Sequence, residues 1–87
     1  MTDYRVEVRV TPRRGILDPQ GSAVQGALRS LGFGEVGEVH VGRLIVFTLA
    51  AEAEGEASER VDAMCRQLLA NPVTEDYQVR VEALAAA

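Results

Sequence analysis

Glu35–Ala50 reads EVGEVHVGRLIVFTLA, and the fold class turns on it. Val39, Val41, Ile45, Phe47 and Leu49 share one parity, with Arg43 as the exception, and His40, Leu44, Val46 and Thr48 share the other. Alternation with β-branched residues is the mark of a strand. From Leu44 onward both parities are apolar, so both faces are expected to be covered, with Leu44, Val46 and Thr48 as candidates for contact with a second copy. Gly42 marks either a bend in one long strand or the break in a hairpin. One long bent strand is the favoured reading.

Upstream, Tyr4, Val6, Val8 and Val10 alternate with Arg5, Glu7, Arg9 and Thr11, which predicts a half-buried strand stopped by Pro12. Pro12-Arg13-Arg14-Gly15 reads as a turn, after which Ile16 and Leu17 are expected to return to the core. Asp18-Pro19 is a helix start: Asp18 suits the N-cap and Pro19 the first helical position. Val24, Ala27, Leu28 and Leu31 give that helix an apolar stripe, and Gly32 suits its left-handed end. Gly26, unfavourable inside a helix, is expected to mark close packing against a neighbouring element.

Downstream, an acidic loop leads into a second helix. Ala57, Val61, Met64, Cys65, Leu68 and Leu69 form its stripe, and Asn71-Pro72 ends it. Tyr77, Val79, Val81 and Ala83 predict the last strand, and 85–87 a frayed tail. The order is β-α-β-α-β, or β-α-β-β-α-β if the middle segment is a hairpin. Either gives an α+β, two-layer, ferredoxin-like domain spanning residues 1–87, with two helices on one face of a small sheet.

Composition restricts the chemistry. The 87 residues contain nine Arg and no Lys, one His and one Cys. A P-loop lysine, a Schiff-base lysine, a CxxC pair and a histidine cluster for a metal are all excluded. The net charge of −4 argues against general nucleic-acid binding. With a single Cys, no apolar h-region at the N-terminus and no run long enough to span a bilayer, the reading is a cytoplasmic chain with no membrane partner. Such a short chain has a thin core, which raises the expectation of an oligomer or a subunit.

Gly32-Phe33-Gly34-Glu35-Val36-Gly37 matches G-x-G-x-x-G literally, but a helix precedes it and a strand follows, the reverse of a dinucleotide site. Those glycines are read as a helix cap and a turn. Acylphosphatases resemble this chain in size and fold, and use an Arg after strand one with an Asn on a later strand. The only Asn here is Asn71, at a helix end. His40 lacks an evident orienting partner in the sequence and is placed facing solvent or another subunit. Cys65 is read as a buried core thiol, and Glu52, Glu54, Glu56 and Glu59 as solvated. No catalytic residue and no metal site emerge.

Three segments carry a specific resemblance. Gly15-Ile16-Leu17-Asp18-Pro19-Gln20-Gly21 resembles the G-[VI]-L-D-P-Q-G motif of the PurS family. Val39-His40-Val41-Gly42-Arg43 resembles its V-R-V-G-K segment, and Leu69–Tyr77 (LANPVTEDY) its L-A-N-P-V-I-E-D-Y segment. Arg43 in place of Lys, Thr74 in place of an aliphatic residue and His40 in place of a basic one are the departures.

The resemblance implies the small subunit of phosphoribosylformylglycinamidine synthase, an ATP- and glutamine-dependent ligase of purine biosynthesis. It implies a dimer or tetramer without catalytic residues, bridging a large synthetase subunit and a glutaminase subunit and supporting ammonia transfer between them. ATP and magnesium would be held by the synthetase, and no cofactor by this chain. Candidate partner contacts are Arg14, Asp18, Gln20, Gly21, Arg43, Asn71, Pro72 and Glu75. The alternative reading is a small ligand-binding regulatory domain of the ACT type. A stand-alone hydrolase using Arg13 or Arg14 ranks last.

Overall fold

The computed structural model describes residues 1–84; the tail expected at 85–87 lies outside the described residues. Its elements are β1 (Thr2–Pro12), α1 (Pro19–Ser30), β2 (Arg43–Ala51), α2 (Glu54–Met64), a π-helical turn (Cys65–Leu69) and β3 (Glu75–Ala83). The sheet is antiparallel, in the order β2-β1-β3. The β-α-β-α-β order and the α+β, ferredoxin-like class are therefore as read from the sequence.

β1 is central because it pairs along its length with both neighbours. Val6 lies opposite Phe47 and Val81, and Val8 opposite Ile45 and Val79. One face of β1 carries Tyr4, Val6, Val8 and Val10, all buried under α2 and the π turn, where Ala57, Val61 and Cys65 close the core. The other face carries Arg5, Glu7 and Arg9, flanked by Leu44 and Val46, which are 55% and 46% exposed. Expected coverage of both faces is absent within one chain.

Three further expectations change. First, the strand begins at Arg43, so neither the long bent strand from Glu35 nor the hairpin forms. Residues 36–42 follow a strand-like sequence pattern but have no ladder partner: the β1–β2 ladder stops at Val10 and Arg43, and Thr11 and Pro12 pair with β3 alone. Second, α2 alone covers the sheet. α1 buries only Gly21, leaves Val24 and Leu31 exposed, and has open space around Gly26 instead of a close neighbour. Third, the second helix widens into a π turn at Cys65–Leu69, closed by the Ala70 N–H donating to the Cys65 carbonyl. The extra residue swings Leu68 out to 82% exposure, off the expected stripe.

The result is an open molecule. The radius of gyration is 16.8 Å, against about 12 Å for a compact chain of this length. The accessible surface is 6195 Å², against roughly 5,000 Å² expected.

Candidate functional site

The turn after β1 is a four-residue reversal in which the Ile16 N–H donates to the Arg13 carbonyl, and Gly15 takes the positive φ of 80° that the geometry needs. It delivers Asp18 to the start of α1, as expected. Oδ1 of Asp18 accepts from the Gly21 N–H at 3.0 Å, which caps the helix. Oδ2 reaches across and accepts from the Val41 N–H at 2.9 Å. One carboxylate thus joins the first motif to the second. These backbone donors, with His40 nearby, hold the Asp18 carboxyl below its ordinary value. Gly21 is required at this joint, because a Cβ there would run into the Val39 carbonyl oxygen and approach Asp18 Oδ2 to 2.6 Å. At the far end of α1, Gly32 (φ 103°) and Phe33 close a Schellman motif onto Arg29 and Leu28, as the cap reading of Gly32 expects.

Arg43, at the start of β2, joins the second motif to the third. Its guanidinium fork meets Glu75 at 2.7 and 3.0 Å and also donates to the Leu69 carbonyl at 2.6 Å. Glu75 Oε1 in turn accepts from the Asn71 N–H at 2.8 Å. The hydrogen bonds between the two side chains, with the Asn71 N–H on the carboxylate, keep Glu75 ionised to lower pH and Arg43 protonated to higher pH than usual. The Asn71 side chain accepts from the Val73 N–H at 3.0 Å, and its carbonyl accepts from the N–H groups of Thr74 and Glu75. Asn71-Pro72 is thus a helix stop built into a turn that Glu75 and Arg43 hold in place.

The three motifs converge on one cleft of ≈ 250 Å³, lined by Pro12, Ile16, Leu17, Asp18, Gln20, Val41, Gly42, Arg43, Thr74 and Glu75. Ile16 and Leu17 form its lip rather than core, at 36% and 83% exposure. Of the eight candidate contact residues, Asp18, Gln20, Arg43 and Glu75 line the cleft, while Gly21 and Asn71 brace it from behind. Arg14 is exposed and does not line it. The engaged arginine of that turn is Arg13, which meets Asp76 at 3.0 Å and donates its backbone N–H to the Thr74 carbonyl. Pro72 is exposed at the turn.

His40 has the partners that the sequence did not reveal. Nε2 lies 3.0 Å from Glu38 and Nδ1 lies 3.5 Å from Asp18. The i, i+2 spacing of Glu38 and His40 was the available signal, but Asp18 is distant in sequence. Cys65 is buried as expected, and burial raises its thiol pKa, so it packs rather than reacts. Among the described residues no group of three or more His, Cys, Asp or Glu side chains is placed to hold a metal, and no helix is long and apolar enough to cross a membrane. The charged groups of the cleft are tied to one another and to backbone, which is an architecture for shape rather than for proton transfer.

Comparison with known proteins supports the three-motif resemblance. Residues 5–83 match the PurS family, described as phosphoribosylformylglycinamidine (FGAM) synthase. The subunit PurS of Synechocystis is 46% identical, the match covering 93% of this chain and 81% of that one. The Bacillus subtilis subunit is 42% identical, with coverage of 95% and 98%. Among solved structures, Methanocaldococcus jannaschii PurS superposes with a TM-score of 0.82 at 39% identity, over 94% of this chain and 99% of that one. A chain from the structure of PurLQS from Thermotoga maritima superposes with a TM-score of 0.84 at 32% identity, over 93% and 99%.

Proposed function

This chain belongs to the PurS family, and from that premise we propose that it works as the non-catalytic subunit of a cytoplasmic phosphoribosylformylglycinamidine synthase, joining a synthetase subunit to a glutaminase subunit. The observation that carries this reading is the cleft in which all three motifs meet. Its charged side chains are held by one another and by backbone groups, and its lip is apolar: Leu17 is 83% exposed. A surface of that kind suits protein contact. Asp18, Gly21, Arg43, Asn71 and Glu75 shape it, and Leu17, Gln20 and Pro72 are displayed to the partner; Arg14 contributes charge beside it.

The chemical need is transfer of ammonia. Released into water near neutral pH, ammonia takes up a proton and loses its nucleophilic lone pair. An assembly that brings the two sites together shields it and raises its effective concentration. In this reading ATP and magnesium belong to the synthetase. The likeness of this chain to one solved within PurLQS from Thermotoga maritima supports the multi-subunit picture.

Self-association fits the same picture. The open sheet face with Leu44, Val46 and Thr48, the uncovered stripe of α1 and the extended 36–42 segment are apolar or backbone surfaces that a second copy would cover. Light scattering coupled to size-exclusion chromatography tests both points. The chain alone should elute as an oligomer, and it should co-elute with the synthetase and glutaminase subunits. A monomer that binds neither would refute the proposal.

A further inference from the structure

The face of the sheet turned away from α2 is laid out in rows across β1 and β3. Arg5 lies opposite Glu82, Glu7 opposite Arg80, Arg9 opposite Gln78 and Thr11 opposite Asp76. The first two rows set opposite charges against each other, as cross-strand pairing favours. The third row breaks that pattern, because Gln78 stands where an acid would complete it. Arg9 has no ion pair and no side-chain hydrogen bond among the described residues, and the acids nearest to it along the strands are engaged elsewhere: Glu7 with Arg5, and Asp76 with Arg13 at 3.0 Å. Arg80 comes no closer than 4.0 Å to Glu82, beyond hydrogen-bond reach. A hollow of ≈ 240 Å³ lies among these side chains, lined by Glu7, Arg9, Gln78, Val79 and Arg80. Leu44 and Val46 lie on the β2 side of β1, outside its lining.

We propose that Arg9, Gln78 and Arg80 form a seat for a phosphate group, either free or carried on a small phosphoester. Arg9 and Arg80 are diagonal neighbours across the strand pair, with Cα atoms about 7–8 Å apart, so both guanidinium forks reach one group placed between them. A single carboxylate is satisfied by one fork, whereas a tetrahedral oxyanion has oxygens enough for two forks and the Gln78 amide together. The one acid in the lining does not oppose this, since Arg5 cancels its charge. Glu7 is held ionised to lower pH than usual, first by the Arg5 hydrogen bond, with the Arg80 and Arg9 charges adding to it. The surplus of positive charge is local, in a chain whose net charge is −4. The seat is independent of the subunit role and is read on this chain without its partners.

Amide NMR titration of the full chain tests it, with inorganic phosphate in one series and glycerol 3-phosphate in another, at low ionic strength held constant with chloride. Saturable shifts should centre on residues 7, 9, 78 and 80, with half-saturation in the low millimolar range, and added salt should weaken them. Tighter binding of the ester would mark the phosphoester as the occupant, and equal binding the phosphate group alone; either supports the seat. Arg9→Gln and Arg80→Gln should each weaken binding by roughly fivefold, as suits exposed charges. Gln78→Glu, which completes the row by giving Arg9 an acid, should abolish it, while Arg60→Gln, an exposed arginine on α2, should bind as the wild type does. The amide spectra themselves show that each variant is folded. Shifts that do not saturate, that spread over the surface, or that persist in Gln78→Glu would overturn the proposal.

Discussion

Arg43 and Glu75 meet fork to fork, with Nη1 2.7 Å from Oε2 and Nη2 3.0 Å from Oε1, while the same guanidinium holds the Leu69 carbonyl. Arg43 thus stands at the carbonyl end of the α2 π turn, where a positive charge is favoured. Removing it frees both a carboxylate and a helix end. Arg43 is about half exposed, so Arg43→Ala should lower stability by only about 1 kcal/mol after allowance for solvent screening. In a domain this small that is roughly 4–8 °C in Tm. Arg43→Lys should fall between the two, since an ammonium keeps the charge and loses the fork. Thermal unfolding followed by circular dichroism checks the order.

Acid should expose the same joints. Glu75 is held below its ordinary value of 4.5 first by the Arg43 hydrogen bond, and Asp18 below its value of 3.8 first by the Gly21 N–H. Both groups have folded pKa values lower than unfolded ones. Their stabilisation is complete at pH above 4.5 and is lost as the pH falls through the folded values, because the unfolded chain binds protons first. Denaturation midpoints should be level from pH 5 upward as far as these two groups are concerned, and should drop below about pH 4. In Glu75→Gln the acid drop should be smaller.

Gly21 and Gly26, both in α1, should respond in opposite directions to alanine. A Cβ at position 21 meets the Val39 carbonyl and the Asp18 carboxylate, whereas at position 26 it meets nothing. Gly21→Ala should destabilise by about 1–3 kcal/mol, as overpacking does, and loosen the Asp18 cap. Gly26→Ala should stabilise the isolated chain by up to about 1 kcal/mol through helix propensity. Denaturant melts of the two variants measure the contrast.

Leu44 and Val46 lie on the open face of an edge strand. The double substitution Leu44→Asp, Val46→Asp should leave the core under α2 unchanged, with stability within about 0.5 kcal/mol for surface sites. It should lower the oligomer mass seen by light scattering at equal concentration. An unchanged mass would remove this face from self-association.

The three strands, the start of α1 and its Asp18 cap were legible in the sequence, because alternation, Asp-Pro and the glycine cap act locally, whereas α2 begins at Glu54, inside the stretch read as an acidic loop. The length of β2 was not legible. Residues 36–42 alternate like a strand, but alternation reports a face and not the presence of a neighbour, and beyond Val10 the last residues of β1 pair with β3 only. The π turn was hidden for a related reason. Leu68 fits a straight helix, and only the Arg43 side chain, from another strand, shows where the turn ends. The convergence of the three motifs on one cleft was equally out of reach, since it depends on contacts such as Asp18 with Val41 that span the chain. The partnership of His40 with Asp18 was hidden in the same way.

The bridging role is tested most directly by a reconstituted assay of formylglycinamidine ribonucleotide synthesis. The synthetase and glutaminase subunits are run with and without this chain, and with either glutamine or ammonium chloride as the nitrogen source. Omitting the chain should lower the glutamine-supported rate by roughly tenfold or more. The ammonium-supported rate should change little, and adding the chain back should restore the first without altering the second. Full glutamine-dependent synthesis in its absence would contradict a bridging role.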